Sequence, residues 1–528
     1  MELKEKALIK VEARGLLLTL LCAIVITCGG CAYAQQRSRT VSREGGRGTI
    51  TLRAGDDLQR ALNDAQPGDT IFLEAGASFR GPFKLPRKNG DAFITIRTLA
   101  PDASLPAQNQ RVSPAYAAAM PKLVSPGEGQ PAIETEAGAH HYRLLGLEIK
   151  PANSSALVYD LVRLGGDRDA QKSLSQVPHD LVIDRCYIHG DPAGSLKRGV
   201  ALNSASTEVI NSYISDFKVR GQEAQAVMGW NGPGPFKIVN NYLEGAGENV
   251  MFGGADPGIP NLVPSDIEIR RNHFSKPVSW RGAFTVKNLF ELKNAQRVTV
   301  DGNLFEYNWA DAQEGVAILS TVRNQEGSAP WSVVQDVTFS NNIVRHASTG
   351  VSILGRDNNN PSQQVRKVTI RNNLFDDING GKWGGRGFFM LISEGADVVI
   401  ENNTILQAAN ITGAFGEPTT GFIFRNNIVM QNEYGFHGDN RSPGSDTIDF
   451  YFPRSVFSNN AIVGGDASLY KGRNMYPASL KQIKFMNADS GDYRLSPDSP
   501  LRKAGAGGAD IGANIPPQMQ LEVASQRR

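Results

Sequence analysis

Five short apolar runs in this chain each end on side chains able to do chemistry. Trp230 closes AVMGW and Asp256 closes NVMFGGAD; Glu291 and Lys293 end LFELK, Arg323 follows AILSTV, and Arg356 follows SILG. Indole faces stack on sugar rings, and guanidinium and ammonium groups pair with carboxylated sugars. On a uronate such a set would carry an elimination: a cation holds the carboxylate, a base takes the C5 proton, and the leaving oxygen is protonated. Lys293 is the candidate base and Lys287 the reserve, because a lysine becomes a base where its charge is disfavoured. Arg323 or Arg356 would hold the carboxylate, and Trp230, Asp256, Glu291 and Arg356 would line the substrate path. The bland alternative is a solvated face on which Glu291, Lys293 and the arginines pair with one another.

Such residues form a site only if the chain stacks them. The segments VTVDGNLFEY, VTFSNNIVRH, VTIRNNLFDD and VVIENNTILQ repeat one pattern, in which alternating apolar residues are broken by an Asn. Aligned on that position, the repeat runs through Cys186, Ser212, Asn241, Asn272, Asn303, Asn342, Asn373, Asn403, Asn427 and Asn460. An apolar residue stands three places before each and two places after. Period-two alternation means strands, and a repeat of roughly 24–39 residues means a solenoid. No unit holds a ten-residue helical pattern, and none offers the four strands of a propeller blade. The expected fold is all-β: a right-handed parallel β-helix of about ten or more coils. In it the Asn amides would sit at an inward corner and bond along the stack, coils lying about 4.8 Å apart. Equivalent outward positions, Glu291, Lys293 and Arg323 among them, would then share one groove with Trp230 further along. The excess RNQEGSAPW of the longest unit would loop out beside it.

The flanks complete the organisation. Basic residues and the uncharged run GLLLTLLCAIVITCGGCAYA read as a signal peptide over 1–34, cleaved after Ala34. The expected location is secreted or periplasmic, with membrane anchorage the alternative if the leader is uncleaved. Residues 48–92 read as an N-terminal cap, with Asp56 or Asp57 N-capping a short helix that buries Leu58, Leu62 and Ala65. Regular coils follow over 136–465, a closing segment over 466–515 and a disordered tail over 516–528. Cys186 is the one cysteine after the leader, which excludes an internal disulfide framework and reads as a small buried hydrophobe. Net charge is +2 and no basic–aromatic run occurs, so no nucleic-acid partner is expected. His140 and His141, as neighbours on a strand, would point to opposite faces and make a poor metal pair. A monomer is expected.

The cap-like LQRALNDAQPGDTIFLEAG, the N-N-x-apolar coils and the terminal DYRLSPDSPLRKAGAGGADIGA together resemble the pectate lyase-like β-helix superfamily over roughly residues 48–515. That resemblance implies an exported protein acting on polysaccharides by β-elimination or hydrolysis; some members are non-catalytic. The R-x-P-x-x-R motif of classical pectate lyases is absent. The hydrolase motifs reduce to the pair Asp376–Asp377, which reads as turn decoration, and His437 in FHGD. Lys293 in ELKNAQRVTVDGNLF stands where alginate- and chondroitin-type lyases of this fold carry a Lys. The acidic calcium pair of those enzymes is replaced by Val286 and Asn288, which leaves calcium open as a cofactor. The reading is cleavage of an acidic, uronate-containing polysaccharide by β-elimination. A non-catalytic glycan-binding surface protein is the first alternative and a glycoside hydrolase the second.

Overall fold

The computed structural model describes residues 40–44 and 47–516, so the leader and the last twelve residues lie outside the described residues. Among the described residues the strands form three long sheets of 15, 13 and 12 strands, parallel apart from the first pair of the first sheet, and one antiparallel pair, Phe485–Asn487 with Asp492–Leu495. One coil visits all three in turn. Val334–Ser340 lies in the first sheet, Ile343–Ala347 in the second and Thr349–Leu354 in the third, before the chain returns as Arg366–Arg371. The chain is a parallel β-helix. Its core is a set of inward columns: Val300, Phe339, Ile370 and Ile400 on the first sheet, Phe305, Val344, Phe375 and Ile405 on the second, and Phe290, Ile318, Val351 and Met390 on the third.

The Asn repeat sits at the corner between the first and second sheets. Asn373 is fully buried, and its Oδ1 accepts the backbone N–H of Asn342 at 2.9 Å and the Nδ2 of Asn342 at 3.1 Å. Its own N–H and Nδ2 donate to Asn403 Oδ1 at 2.9 Å, and Nδ2 also reaches Phe339 O. The same bonds link Asn241 through Asn460. Ser212 continues the chain of acceptors toward Cys186. The ladder runs one step beyond the sequence repeat, to Asn474, whose Oδ1 takes two bonds from Asn460. The residue before each corner Asn from Asn241 to Asn460 has left-handed backbone: Asn240, Arg271, Gly302, Asn341, Asn372, Asn402, Asn426 and Asn459, with φ between 51° and 67°. Asn and Gly tolerate that conformation best, which explains why the pattern is so often Asn-Asn.

Coiling begins earlier than the Asn pattern indicates. Arg47–Leu52, Thr70–Leu73 and Ile94–Thr98 already stack in the first sheet beneath His140–Leu145. These coils turn without a corner Asn, so an alignment on Asn passes over them. The cap is the helix Leu58–Asp64, with Asp57 as N-cap accepting from Arg60 N–H. It buries Leu58, Ala61 and Leu62. Gln59 both donates to Lys84 O and accepts from Lys84 N–H, so a side-chain amide closes the open edge of the third sheet.

The outer face of the second sheet carries one column: Tyr187, Tyr213, Tyr242, His273, Leu304, Ile343, Leu374, Thr404, Ile428 and Ala461. Two straps cover it. The polar insertion after Thr98 packs Leu105, Val112 and Met120 against Tyr187 and Tyr213. Its Arg111 is buried and donates to Asn240 O and Arg271 O, at the corners of later coils. The C-terminal segment runs back the other way, placing Ala513 and Ile515 against Leu304, Ile343 and Leu374. Between them His273 Nε2 lies 2.8 Å from Glu306 Oε1, and Arg345 donates to Glu306 Oε2 at 2.9 Å.

Two outcomes follow. Asn373→Leu leaves the buried N–H groups of Asn342 without an acceptor, and unfolding in urea should show a loss of about 3 kcal/mol; an unchanged midpoint would refute the ladder's energetic role. Burial pushes the Glu306 carboxyl up, but His273 and Arg345 outweigh it and hold it at about 2. Because that value is depressed, the group's stabilisation is present above its ordinary 4.5 and is lost as pH falls toward 2. Glu306→Gln should weaken the fold at neutral pH and remove ~3 kcal/mol of the acid-induced loss across that window, read as a flatter stability–pH curve.

Candidate active site

The outer face of the third sheet is left uncovered by either strap, and it mixes charged with apolar side chains. Its strands Asn288–Leu292, Val316–Thr321, Thr349–Leu354, Met390–Ser393 and Thr412–Ala414 align Glu291, Leu319, Ser352, Leu391 and Gly413 in one outward column. Lys293 and Arg323 follow the first two strands, and Arg323 N–H donates to Lys293 O at 2.9 Å, which fixes the two residues on adjacent coils. Together with Gln313, Glu314 and Asn358 they rim a cleft of about 440 Å³. Its floor is apolar: Val316, Leu319, Leu354, Leu391 and Phe415. Gly253 makes room for this corner, since a Cβ there would meet Lys293 Cβ at 2.9 Å.

The charges in the cleft are balanced. Lys293 Nζ lies 3.5 Å from Glu291 Oε1, and Asn288 Nδ2 donates to Glu291 Oε2 at 3.2 Å. Arg323 reaches Asn358 Oδ1 at 2.9 Å and Asp357 Oδ1 at 3.3 Å. Glu314 is paired with Arg386 at 2.9 Å. Behind this rim lies a buried charge cluster. Lys287 contacts Glu223 and stands 3.6 Å from Glu248 Oε1. Burial, then the carboxylates of Glu291 and Glu223, push Glu248 up to about 7. Lys276, also fully buried, donates to Gly245 O, Gly247 O and Asn249 Oδ1; burial pulls its ammonium down to about 7.

The structure therefore brings together Glu291, Lys293 and Arg323, and separates the rest. Lys287 and Lys293 are buried to a similar degree, at 8% and 9% exposure, but Lys287 is the counter-charge to Glu223 and Glu248 and does not line the cleft. Trp230 does not offer a free stacking face: it packs with Ala201, Met228 and Met251, and the Arg198 guanidinium lies 4.9 Å from its ring centroid. Asp256 is buried at 1% exposure, where its Oδ2 accepts from Ser328 N–H and Oγ. The long insertion thus folds back onto Asp256, and Trp331 Nε1 ties it to Leu262 O, instead of walling the cleft. Arg356 turns aside to Glu394 at 3.0 Å. Sequence reasoning missed Gln313, Glu314 and Asn358, which lie in loops, Phe415, which follows a three-residue strand, and Glu248, which opens a strand at the position register-paired with Asn288.

Calcium does not fit the places suggested for it. Val286 is apolar and buried, Asn288 offers a single Oδ1 because its Nδ2 donates to Glu291 and Gln313, and the neighbouring carboxylates already have the Lys287 ammonium. Lys287→Met should strip that charge from Glu223 and Glu248. We expect a loss of about 3 kcal/mol at pH 8 that shrinks at pH 5, where the raised Glu248 takes up a proton; equal losses at both pH values would refute the pairing.

No family model and no curated protein matches the chain. Among solved structures it is similar to a PL6 family alginate lyase, AlyGC, at 13% identity and TM-score 0.49, over 88% of this chain and 57% of that one. It is likewise similar to a mannuronic acid specific family 6 lyase from human gut microbiota at 12% identity and TM-score 0.44, over 91% and 99%. A third likeness is to pectate lyase Pel9A at 12% identity and TM-score 0.33, over 89% and 96%. At these identities and scores the likenesses bear on neither substrate nor mechanism.

Proposed function

We propose that this is an exported β-helix protein that cleaves a uronate-containing polysaccharide by β-elimination in the cleft of the third sheet. The observation that carries the reading is the placement of Lys293 and Arg323 on adjacent coils, beside one cleft with an apolar floor. A pyranose ring has an apolar face to lay on Leu319, Leu391 and Phe415, and a uronate carboxylate has a guanidinium to meet at Arg323. In that pose Arg323 exchanges its bonds to Asn358 and Asp357 for the substrate carboxylate. The elimination requires an uncharged base: Lys293 Nζ takes the C5 proton, the C5–H electrons become the C4–C5 double bond, the C4–O bond breaks, and the leaving oxygen takes a proton from water. Glu291, beside Lys293, positions the amine and compensates its charge when protonated.

A non-catalytic glycan-binding reading is supported by one observation: both cations are already paired, Lys293 with Glu291 and Arg323 with Asp357. A panel of acidic and neutral polysaccharides separates the readings. We expect absorbance near 235 nm to rise with a uronate polymer, and Lys293→Ala to abolish that rise while the protein still binds the polymer. Binding without any absorbance change would favour the non-catalytic reading, and new reducing ends without absorbance would favour hydrolysis.

A further inference from the structure

Four side chains meet where the chain enters the first sheet on two adjacent coils, far along the sequence from the cleft. His140 opens one strand and pairs in register with His179, which opens the next. Their rings stack with centroids 4.8 Å apart and planes 6° from parallel. The residue after each, His141 and Asp180, has left-handed backbone, with φ of 59° and 53°. That kink overrides the strand alternation expected to send His140 and His141 to opposite faces. The two Nδ1 atoms are instead 2.8 Å apart. Three of the chain's seven histidines are thereby gathered around one carboxylate.

The donor geometry is that of an open transition-metal site. One ligand atom each from His141, His179 and Asp180 lie within 4.8 Å of one another. His179 Nδ1 is 2.6 Å and His141 Nε2 4.0 Å from Asp180 Oδ2. In the His140–His141 contact one nitrogen must donate and the other accept. When His141 donates from Nδ1, its Nε2 keeps the lone pair on the side of Asp180, an orientation that a neighbour of a ligating histidine commonly enforces. Solvent reaches the group, the side chains of His141, Asp180 and His179 being 17%, 38% and 43% exposed.

The rest of the column shows what is unusual here. Further along the first sheet the equivalent left-handed residues pair as simple salt bridges from coil to coil, Asp266 with Arg297 at 2.7 Å and Lys367 with Asp336 at 3.5 Å. At the His site the cationic partner is replaced by imidazoles. Two imidazoles and a carboxylate are a donor set for zinc-class dications, whereas calcium prefers an all-oxygen shell.

We propose that His141, His179 and Asp180, with His140 as positioning residue, bind one zinc-class dication per chain and pin these two coils together. The test uses the full-length, tag-free protein, stripped with EDTA and desalted, then titrated calorimetrically with zinc chloride. One zinc per chain is expected, with a higher thermal midpoint when it is bound, no such shift with calcium, and affinity weakened at least about tenfold in His141→Ala/His179→Ala. His437→Ala should bind like the wild type. Because the double variant removes buried contacts, cobalt(II) bound to the wild type gives an independent reading: an intense visible band of a low-coordinate nitrogen site is expected. Absence of zinc binding at micromolar concentrations, equal binding by the double variant, or a cobalt spectrum like that of the hydrated ion would each overturn the proposal.

Discussion

A buried amide has to be satisfied, and at the corners of this molecule its oxygen is satisfied by the ladder residue of the neighbouring coil. From Asn272 to Asn460 each corner Oδ1 accepts two N–H groups from the preceding ladder residue, and each Nδ2 reaches a carbonyl of the first sheet as well. That condition fixes the register between coils, and the register fixes everything built on the outward columns. A slip of one residue would send the core column to solvent and leave the amides without partners. The order of the cleft residues is therefore set at the opposite corner of the coil, by side chains that never meet a substrate.

The two uncovered-or-covered faces divide the work. The outward column of the second sheet is aromatic at one end and aliphatic at the other, and both ends are hidden by chain that does not belong to the coils. The third sheet carries charged outward residues that neither strap covers, and there the molecule holds them in paired groups. Lys287 stands between the buried Glu248 and the partly exposed Glu223, and beside them Glu291, Lys293 and Arg323 line the cleft. Charges packed this closely cost desolvation, and their partners keep that cost from unfolding the coils.

Much of the architecture was legible because Asn at a fixed interval has so few physical explanations. Glu291, Lys293 and Arg323 could be brought together from sequence because each follows a buried strand residue with the same parity. Where parity stops governing, the reading failed. Trp230 and Asp256 lie at or beyond strand ends, where loop paths decide: Arg198 covers one and Ser328 binds the other. The first coils turn without Asn, so their strands are readable one by one while the Asn repeat does not reach them. Asn474 follows Asn460 by only 14 residues, too short a step for the repeat to announce. His141 escaped because a single left-handed residue reverses the side that alternation assigns to it.

The straps change what kind of repeat protein this is. In an open solenoid each coil touches only its neighbours, so coils can fray or be added one at a time. Here Arg111 bonds to the backbone of Arg271, 160 positions away, and Asn514 bonds to Asn372 across 142. Each strap spans several coils, so a terminal coil cannot peel off without releasing interior ones. The stack is closed lengthwise like a bound book, and its unit of unfolding becomes the whole spine instead of the page.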